Sequence, residues 1–129
     1  MDATTAIWVL VGSAAGGAAR YAVSEWIARR LEEQFPWGTL VVNLSGAAAI
    51  GLWLGAAPSG GVGYTVFVLG FLGSYTTVST FALQSLFLSQ EQRWGAVFSY
   101  VALSALGCLT AAGAGVLIAR AVSGGNGVG

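Results

Sequence analysis

The chain has 129 residues, 56% of them hydrophobic and only 8% charged; five arginines balance five acids, and lysine and histidine are absent. A formal charge of zero gives no support to nucleic-acid binding, and a single cysteine, Cys108, without any histidine argues against disulfides and clustered metal sites. Mean hydropathy is +0.76, and no charged side chain occurs between Gln34 and Gln90, so the class is an all-α integral membrane protein.

A membrane-crossing helix needs about 20 mostly apolar residues, and four stretches meet this, at about 5–28, 37–57, 62–89 and 94–119. Asp2 precedes the first stretch where a signal peptide would carry basic residues, so that stretch is read as a retained helix. It contains Arg20, a charge that in a membrane helix faces a cavity, pairs, or snorkels to the interface; Glu25 lies one turn further on. Gly12 and Gly16 form a G-x-x-x-G pair, which lets helix backbones approach closely. A charged turn over residues 29–36 follows.

The second stretch carries Asn43, flanked by Thr39 and Ser45, and the small residues Gly46, Ala49 and Gly51. An amide inside the membrane acts as interhelical glue, or its two N–H donors suit an anion without an ionised group to trap it. A turn at residues 58–61 leads to the third stretch. Residues 70–81 read GFLGSYTTVSTF, with hydroxyls on Ser74, Tyr75, Thr76, Thr77, Ser79 and Thr80 and with Gly70 and Gly73 beside them. In hydrocarbon each polar group must find a partner inside the protein, so this run predicts a broken third helix lining a cavity or pore. Phe81 ends the run; its ring is packing by default, or an electropositive edge able to touch a small anion.

The patch 90–93 precedes the fourth stretch, where Tyr100, Ser104 and Cys108 recur every four residues and share one helix face. They bond their own backbone or, aligned with Ser79 and Thr80, form a ladder of donors. Residues 123–129 are glycine-rich and read as a disordered tail. Trp8, Trp26, Trp37, Trp53 and Trp94 lie mostly near span ends, as interfacial anchors do. Arg29, Arg30 and Arg93 on one side against Arg120 on the other place both termini outside, by a margin small enough to allow insertion both ways. Four such segments barely enclose a polar path alone, and self-association is expected.

Three motifs in order, GGAARY at 16–21, GTLVVNLSG at 38–46 and GFLGSYTTVSTF at 70–81, resemble the Fluc (CrcB) fluoride channels over nearly the whole chain. The resemblance implies four transmembrane helices per subunit with the third broken, an antiparallel dual-topology dimer in the cell membrane, and passive fluoride export. It implies a fluoride pore at Asn43, Phe81, Val78, Ser79, Thr80, Tyr100, Ser104 and Cys108, with Arg20 near a vestibule. It also implies a structural sodium ion on the backbone carbonyls of Gly73 and Thr76. Two positions depart from the family pattern: Val78 stands where a phenylalanine is usual and Gln84 where an acid is. A complementary homologue as partner, in place of a second copy, is therefore the alternative assembly. The rival functions are a proton-coupled exporter, which needs an acid within a span, and a non-transporting assembly factor.

Overall fold

The computed structural model describes residues 2–31, 35–57 and 60–123. The turn at Pro58 and Ser59, the acids Glu32 and Glu33, and the tail beyond Ser123 lie outside the described residues. Among the described residues every regular element is helical: α1 (Ala3–Arg30), α2 (Trp37–Ala56), α3 (Gly61–Gly63), a π-helical stretch (Tyr64–Leu72), α4 (Gly73–Tyr75), α5 (Ser79–Gln90) and α6 (Trp94–Ser123). By length and apolarity four units cross a membrane, Ala3–Arg30, Trp37–Ala56, Gly61–Gln90 and Trp94–Ser123. The chain is a multi-pass membrane protein. The 30 residues of α6 extend about 45 Å at ~1.5 Å per residue, well beyond a hydrocarbon core of about 30 Å, so this helix tilts or carries its ends into the headgroups.

The start of α1 is fixed by Asp2, whose carboxylate accepts the Thr5 amide at 2.8 Å. That bond holds the Asp2 carboxyl below the usual carboxylate range. At the other end of α1 the Arg30 guanidinium lies 5.0 Å from the Trp26 ring centre, a cation–π contact that suits an interfacial pair.

Two seams hold the helices together, and glycine builds both. A Cβ on Gly51 would strike the backbone carbonyl of Ala112, and one on Gly115 would meet the Ala48 carbonyl at 2.6 Å, so α2 and α6 lie backbone to backbone. A Cβ on Gly12 or Gly16 would strike the carbonyl of Val66 or Phe71, so α1 lies equally close to the π-helical stretch. Lipid tails are as apolar as leucine, so this close van der Waals approach drives association where the hydrophobic effect does not. The interior is small. One cluster joins Leu40, Leu88 and Tyr100, another Val42, Leu72 and Tyr75. Around them Leu10, Phe98, Leu106, Leu109 and Leu117 stand exposed, the arrangement a lipid solvent requires.

Candidate functional site

Between Tyr75 and Ser79 the backbone of the third span leaves the helix. Thr76 is extended, with φ −79° and ψ 157°, and helix resumes at Ser79. Asn43 on α2 faces this gap and satisfies it: the Thr77 amide donates to Asn43 Oδ1 at 2.8 Å, and Asn43 Nδ2 donates to the Thr77 carbonyl at 2.9 Å. One side-chain amide thus replaces the two backbone partners that Thr77 would have had in a continuous helix, as a membrane interior demands. Gly46, one turn from Asn43, makes the room, since a Cβ there would collide with the Thr76 methyl group.

Thr77 is the hub of the hydroxyl run. Its Oγ1 accepts the Thr80 amide at 3.1 Å, capping α5, and contacts Ser79 Oγ at 3.3 Å and Thr80 Oγ1 at 3.2 Å. Of the remaining hydroxyls, Thr76 donates back to the Leu72 carbonyl of its own span at 3.0 Å, and two turn toward other helices. Ser74 donates to the Ser13 carbonyl at 3.0 Å, and Tyr75 shares a 2.9 Å bond with Ser45.

These redirected donors leave two carbonyls short of their helical partners. The amide four residues beyond Gly73 belongs to Thr77 and goes to Asn43; the amide four residues beyond Thr76 belongs to Thr80 and goes to the Thr77 hydroxyl. Oxygen donors of this kind, freed where a membrane helix unwinds, suit a hard monovalent cation. The Gly73 and Thr76 carbonyls therefore fit the sodium ion that the sequence resemblance implies. Among the described residues no group of acidic, histidine or cysteine side chains offers a metal site of its own.

A half-open cavity of about 370 Å³ adjoins the gap. It is lined by Asn43, Thr76, Thr77, Val78, Phe81, Ser104 and Cys108, with Ala47, Ile50 and Ala105 completing the wall. Five of the sequence-predicted pore residues thus meet on one surface: Asn43, Val78, Phe81, Ser104 and Cys108. Val78 is 80% exposed, a bare apolar side chain at the rim. Ser104 is 93% buried, and its hydroxyl is the buried side-chain polar atom that finds no partner among the described residues. An orphaned donor in a membrane interior costs on the order of 1–3 kcal/mol, and this one lies in a residue of the cavity wall.

The other predicted residues lie elsewhere. Ser79 and Thr80 point back to Thr77 and do not line this cavity. Tyr100 is wholly buried; its hydroxyl donates to Gln84 Oε1 at 3.0 Å, and its ring lies 5.1 Å from that of Phe81. Arg20, half-buried on α1, lines neither this cavity nor a second one of about 250 Å³. The second cavity lies at the end of the bundle near Trp37 and is lined in part by Ser24, Glu25, Thr39 and Gln84. No Arg20–Glu25 ion pair forms among the described residues; the ion pair present joins Arg93 and Glu91 at 3.9 Å.

Sequence reasoning missed Thr77, Thr39 and Gln84 as working residues. Thr77 carried a signal, a threonine three residues ahead of Thr80 at a helix start. Gln84 carried one only as a departure from the family pattern.

A family model described as CrcB-like protein, Camphor Resistance (CrcB), matches residues 7–116. The chain is similar to the fluoride-specific ion channel FluC 4 of Brucella abortus, with 49% identity over 123 residues, covering 89% of this chain and 91% of that protein. It is 47% identical to the fluoride-specific ion channel FluC 2 of Rhodopseudomonas palustris, over 91% of this chain and 94% of that protein. It is 38% identical to the fluoride-specific ion channel FluC 1 of Halalkalibacterium halodurans, over 80% and 87% of the two. With the match spanning the helices, the Asn43 clamp and the cavity beside it, this chain belongs to the CrcB family.

Proposed function

We propose that this chain forms a fluoride-selective channel that exports the anion passively, and that Asn43, Phe81, Ser104 and Cys108 face its path. The observation that carries this reading is the cavity where the Asn43 amide, the Phe81 ring and the unpartnered Ser104 hydroxyl converge, in a chain whose relatives are named fluoride channels. Hydroxyl and amide donors with an aromatic edge offer a small anion positive partial charge without a full charge. Such a wall replaces part of the ion's hydration and still lets it go. No nucleophile paired with a base stands at the cavity, so binding and passage are what this surface can do.

Hydrogen fluoride crosses bilayers as a neutral acid and dissociates in a more alkaline cytoplasm, which traps the anion. A membrane potential then supplies about 2.3 kcal/mol per charge per 100 mV, sufficient to drive fluoride out with no coupled ion. In this reading sodium is a structural cofactor on the Gly73 and Thr76 carbonyls. Bound there, it would neutralise oxygen atoms whose helical donors have been redirected, while Asn43 keeps the gap in shape. Ser79, Thr80 and Tyr100 act behind the wall, and Arg20 adds positive potential near one end of the path.

The active unit is an antiparallel dimer in the cell membrane. The cavity is open on the side where Val78 is bare, and a single four-helix subunit has little interior left to close it. A homodimer is the simplest assembly; a homologous subunit supplying an aromatic where this chain has Val78 is the alternative.

The test is fluoride efflux from liposomes holding the purified protein, driven by a potassium diffusion potential, with chloride and an Asn43→Leu variant as controls. Rapid, chloride-excluding efflux that Asn43→Leu abolishes is the expected result. A folded dimer that passes no fluoride would overturn the homodimeric channel, and restoration by a co-expressed homologue would transfer the function to a heterodimer.

A further inference from the structure

The cavity of about 250 Å³ near Trp37 differs in chemistry from the one at the helix gap, whose wall carries no charge. It brings together a carboxylate, Glu25, the aromatic side chains of Phe35 and Trp37, and the hydroxyl residue Ser24. Close approach of two helices assembles it. A Cβ on Gly38 would lie 3.2 Å from the Ser24 carbonyl oxygen, so the first turn of α2, with Trp37, is set against the stretch of α1 that carries Ser24 and Glu25. Helical spacing turns Ser24, Ile27, Ala28 and Leu31 toward the cavity as one stripe, with Glu25 at its edge.

Three observations select a ligand for this place. The Glu25 carboxylate is exposed and has neither ion pair nor hydrogen bond among the described residues. Arg29 stands one turn away, but an exposed pair at that spacing is weak and yields to a competing cation. The Phe35 and Trp37 ring centres lie 4.6 Å apart with their planes 47° to each other, which makes an angled corner of two π systems. Ring faces carry the negative end of the quadrupole, so carboxylate and rings alike repel an anion and attract a cation. The third observation is size. Drug-sized ligands occupy cavities of about 300–1,000 Å³, and this one is smaller. A lone carboxylate is too few oxygen ligands for a divalent metal, and no cluster of metal-binding side chains occurs among the described residues.

We propose that this cavity binds a small alkylammonium group, its nitrogen held between the Glu25 carboxylate and the corner of Phe35 and Trp37. Where the nitrogen carries a proton, Ser24 Oγ accepts it; that hydroxyl has no hydrogen-bond partner among the described residues. The group is carried by a free amine in the surrounding water or by the ethanolamine head of a phospholipid, since tryptophans at span ends set this cavity at headgroup depth. The site does not depend on the fluoride-channel reading.

The probe is tetramethylammonium chloride added to the detergent-purified protein, with sodium chloride holding ionic strength constant. Saturation-transfer NMR, irradiating the protein's aromatic protons, reads contact with the methyl protons of the probe. Saturable transfer is expected in the parent, with affinity lowered at least tenfold in Glu25→Gln and unchanged or raised in Arg29→Gln. Glu25→Gln alters an exposed side chain, and its Tm should match the parent's. On the parent itself tert-butanol, of similar shape without the charge, should show less than a tenth of the transfer. No transfer to tetramethylammonium, equal transfer to tert-butanol, equal affinity in Glu25→Gln, or an equal loss in Arg29→Gln each overturns the proposal. Nanodiscs of phosphatidylglycerol with and without an ethanolamine phospholipid then assign the source of the bound group. Weaker probe binding when that lipid is present supports a headgroup in the site, and undiminished binding supports a free amine.

Discussion

The third span has two halves that the same membrane treats differently. Upstream of the gap, the π-helical stretch buries Val68, Gly70 and Leu72, Gly70 against α1 and Leu72 beside Val42 of α2, and Phe67, Phe71 and Tyr75 stack with ring centres 5.6 and 5.9 Å apart. Downstream, α5 buries only Leu88, with Leu83, Leu86 and Phe87 each about half exposed. The upstream half is clamped by glycine-mediated backbone contact within the subunit. The downstream half carries Phe81 and Gln84 on a helix that its own subunit covers on one side. Rigid support lies on one side of the gap and an open flank on the other; in the proposed dimer a second subunit would complete the path without refolding the first.

The largest effect that would break this comparison is loss of the Asn43 clamp. Asn43→Leu leaves both the Thr77 amide and carbonyl without partners; at about 1–3 kcal/mol per orphaned group, a loss of roughly 2–6 kcal/mol is expected. Thermal unfolding in detergent should show it as a lowered Tm, together with abolished fluoride efflux. An unchanged Tm would mean that the gap is held by something other than Asn43.

Next comes the upstream clamp. Gly16→Leu places side-chain atoms against the Phe71 backbone carbonyl, where no rotamer relieves the clash. Overpacking of this kind costs about 1–3 kcal/mol or more, and the folded yield in detergent should fall. Gly17→Leu is the matched control, because a Cβ at Gly17 meets nothing within 4 Å, and it should express and melt like the parent.

A smaller, purely functional effect is expected downstream. Phe81→Ile keeps an apolar side chain but removes the ring edge, so fluoride efflux should drop about tenfold, the equivalent of about 1.4 kcal/mol in a barrier, with Tm nearly unchanged. Equal efflux in Phe81→Ile and the parent would reduce Phe81 to packing. Replacement of sodium by N-methylglucamine in the buffers should lower Tm by a few degrees and reduce efflux, and sodium should restore both; indifference to sodium would remove the cofactor. The smallest effect belongs to Ser104→Ala. It removes a buried hydroxyl that has no partner, so stability should hold or rise by up to about 1 kcal/mol while efflux slows a few-fold.

Much of this protein was legible in its residues. The absence of charge between Gln34 and Gln90 dictated membrane helices, because an unpaired charge in hydrocarbon is too costly to place at random. The hydroxyl run at residues 74–80 marked where backbone groups needed unusual partners, and Asn43 stood out as an amide among apolar neighbours. The pairing of Asn43 with Thr77 was not legible, since nothing local in a sequence says which of six hydroxyl residues a side chain 34 positions away will meet. Periodicity placed Tyr100, Ser104 and Cys108 on one face of α6, yet Ser104 and Cys108 reach the cavity while Tyr100 is turned to Gln84. A shared helix face fixes direction only; what each turn of that face meets depends on the neighbouring helix.

Sequence by itself therefore determined the solvent, the number of spans, the candidate polar residues and the family. Each of these follows from local chemistry, the transfer cost of a residue or the order of motifs along the chain. Tertiary structure decided which polar groups satisfy one another and which are left over. Thr77 became the hub, Gly73 and Thr76 lost their helical donors, Ser104 kept an unused hydroxyl, and Gln84 was turned to Tyr100 at the wall of the cavity near Trp37. Those outcomes depend on how closely α1, α2 and α6 approach the third span. That distance is set by backbone contact at Gly12 and Gly16 and by side-chain contact at Gly46, while Gly51 and Gly115 bring α2 and α6 together; the lack of a side chain on one helix matters only through the neighbour brought against it.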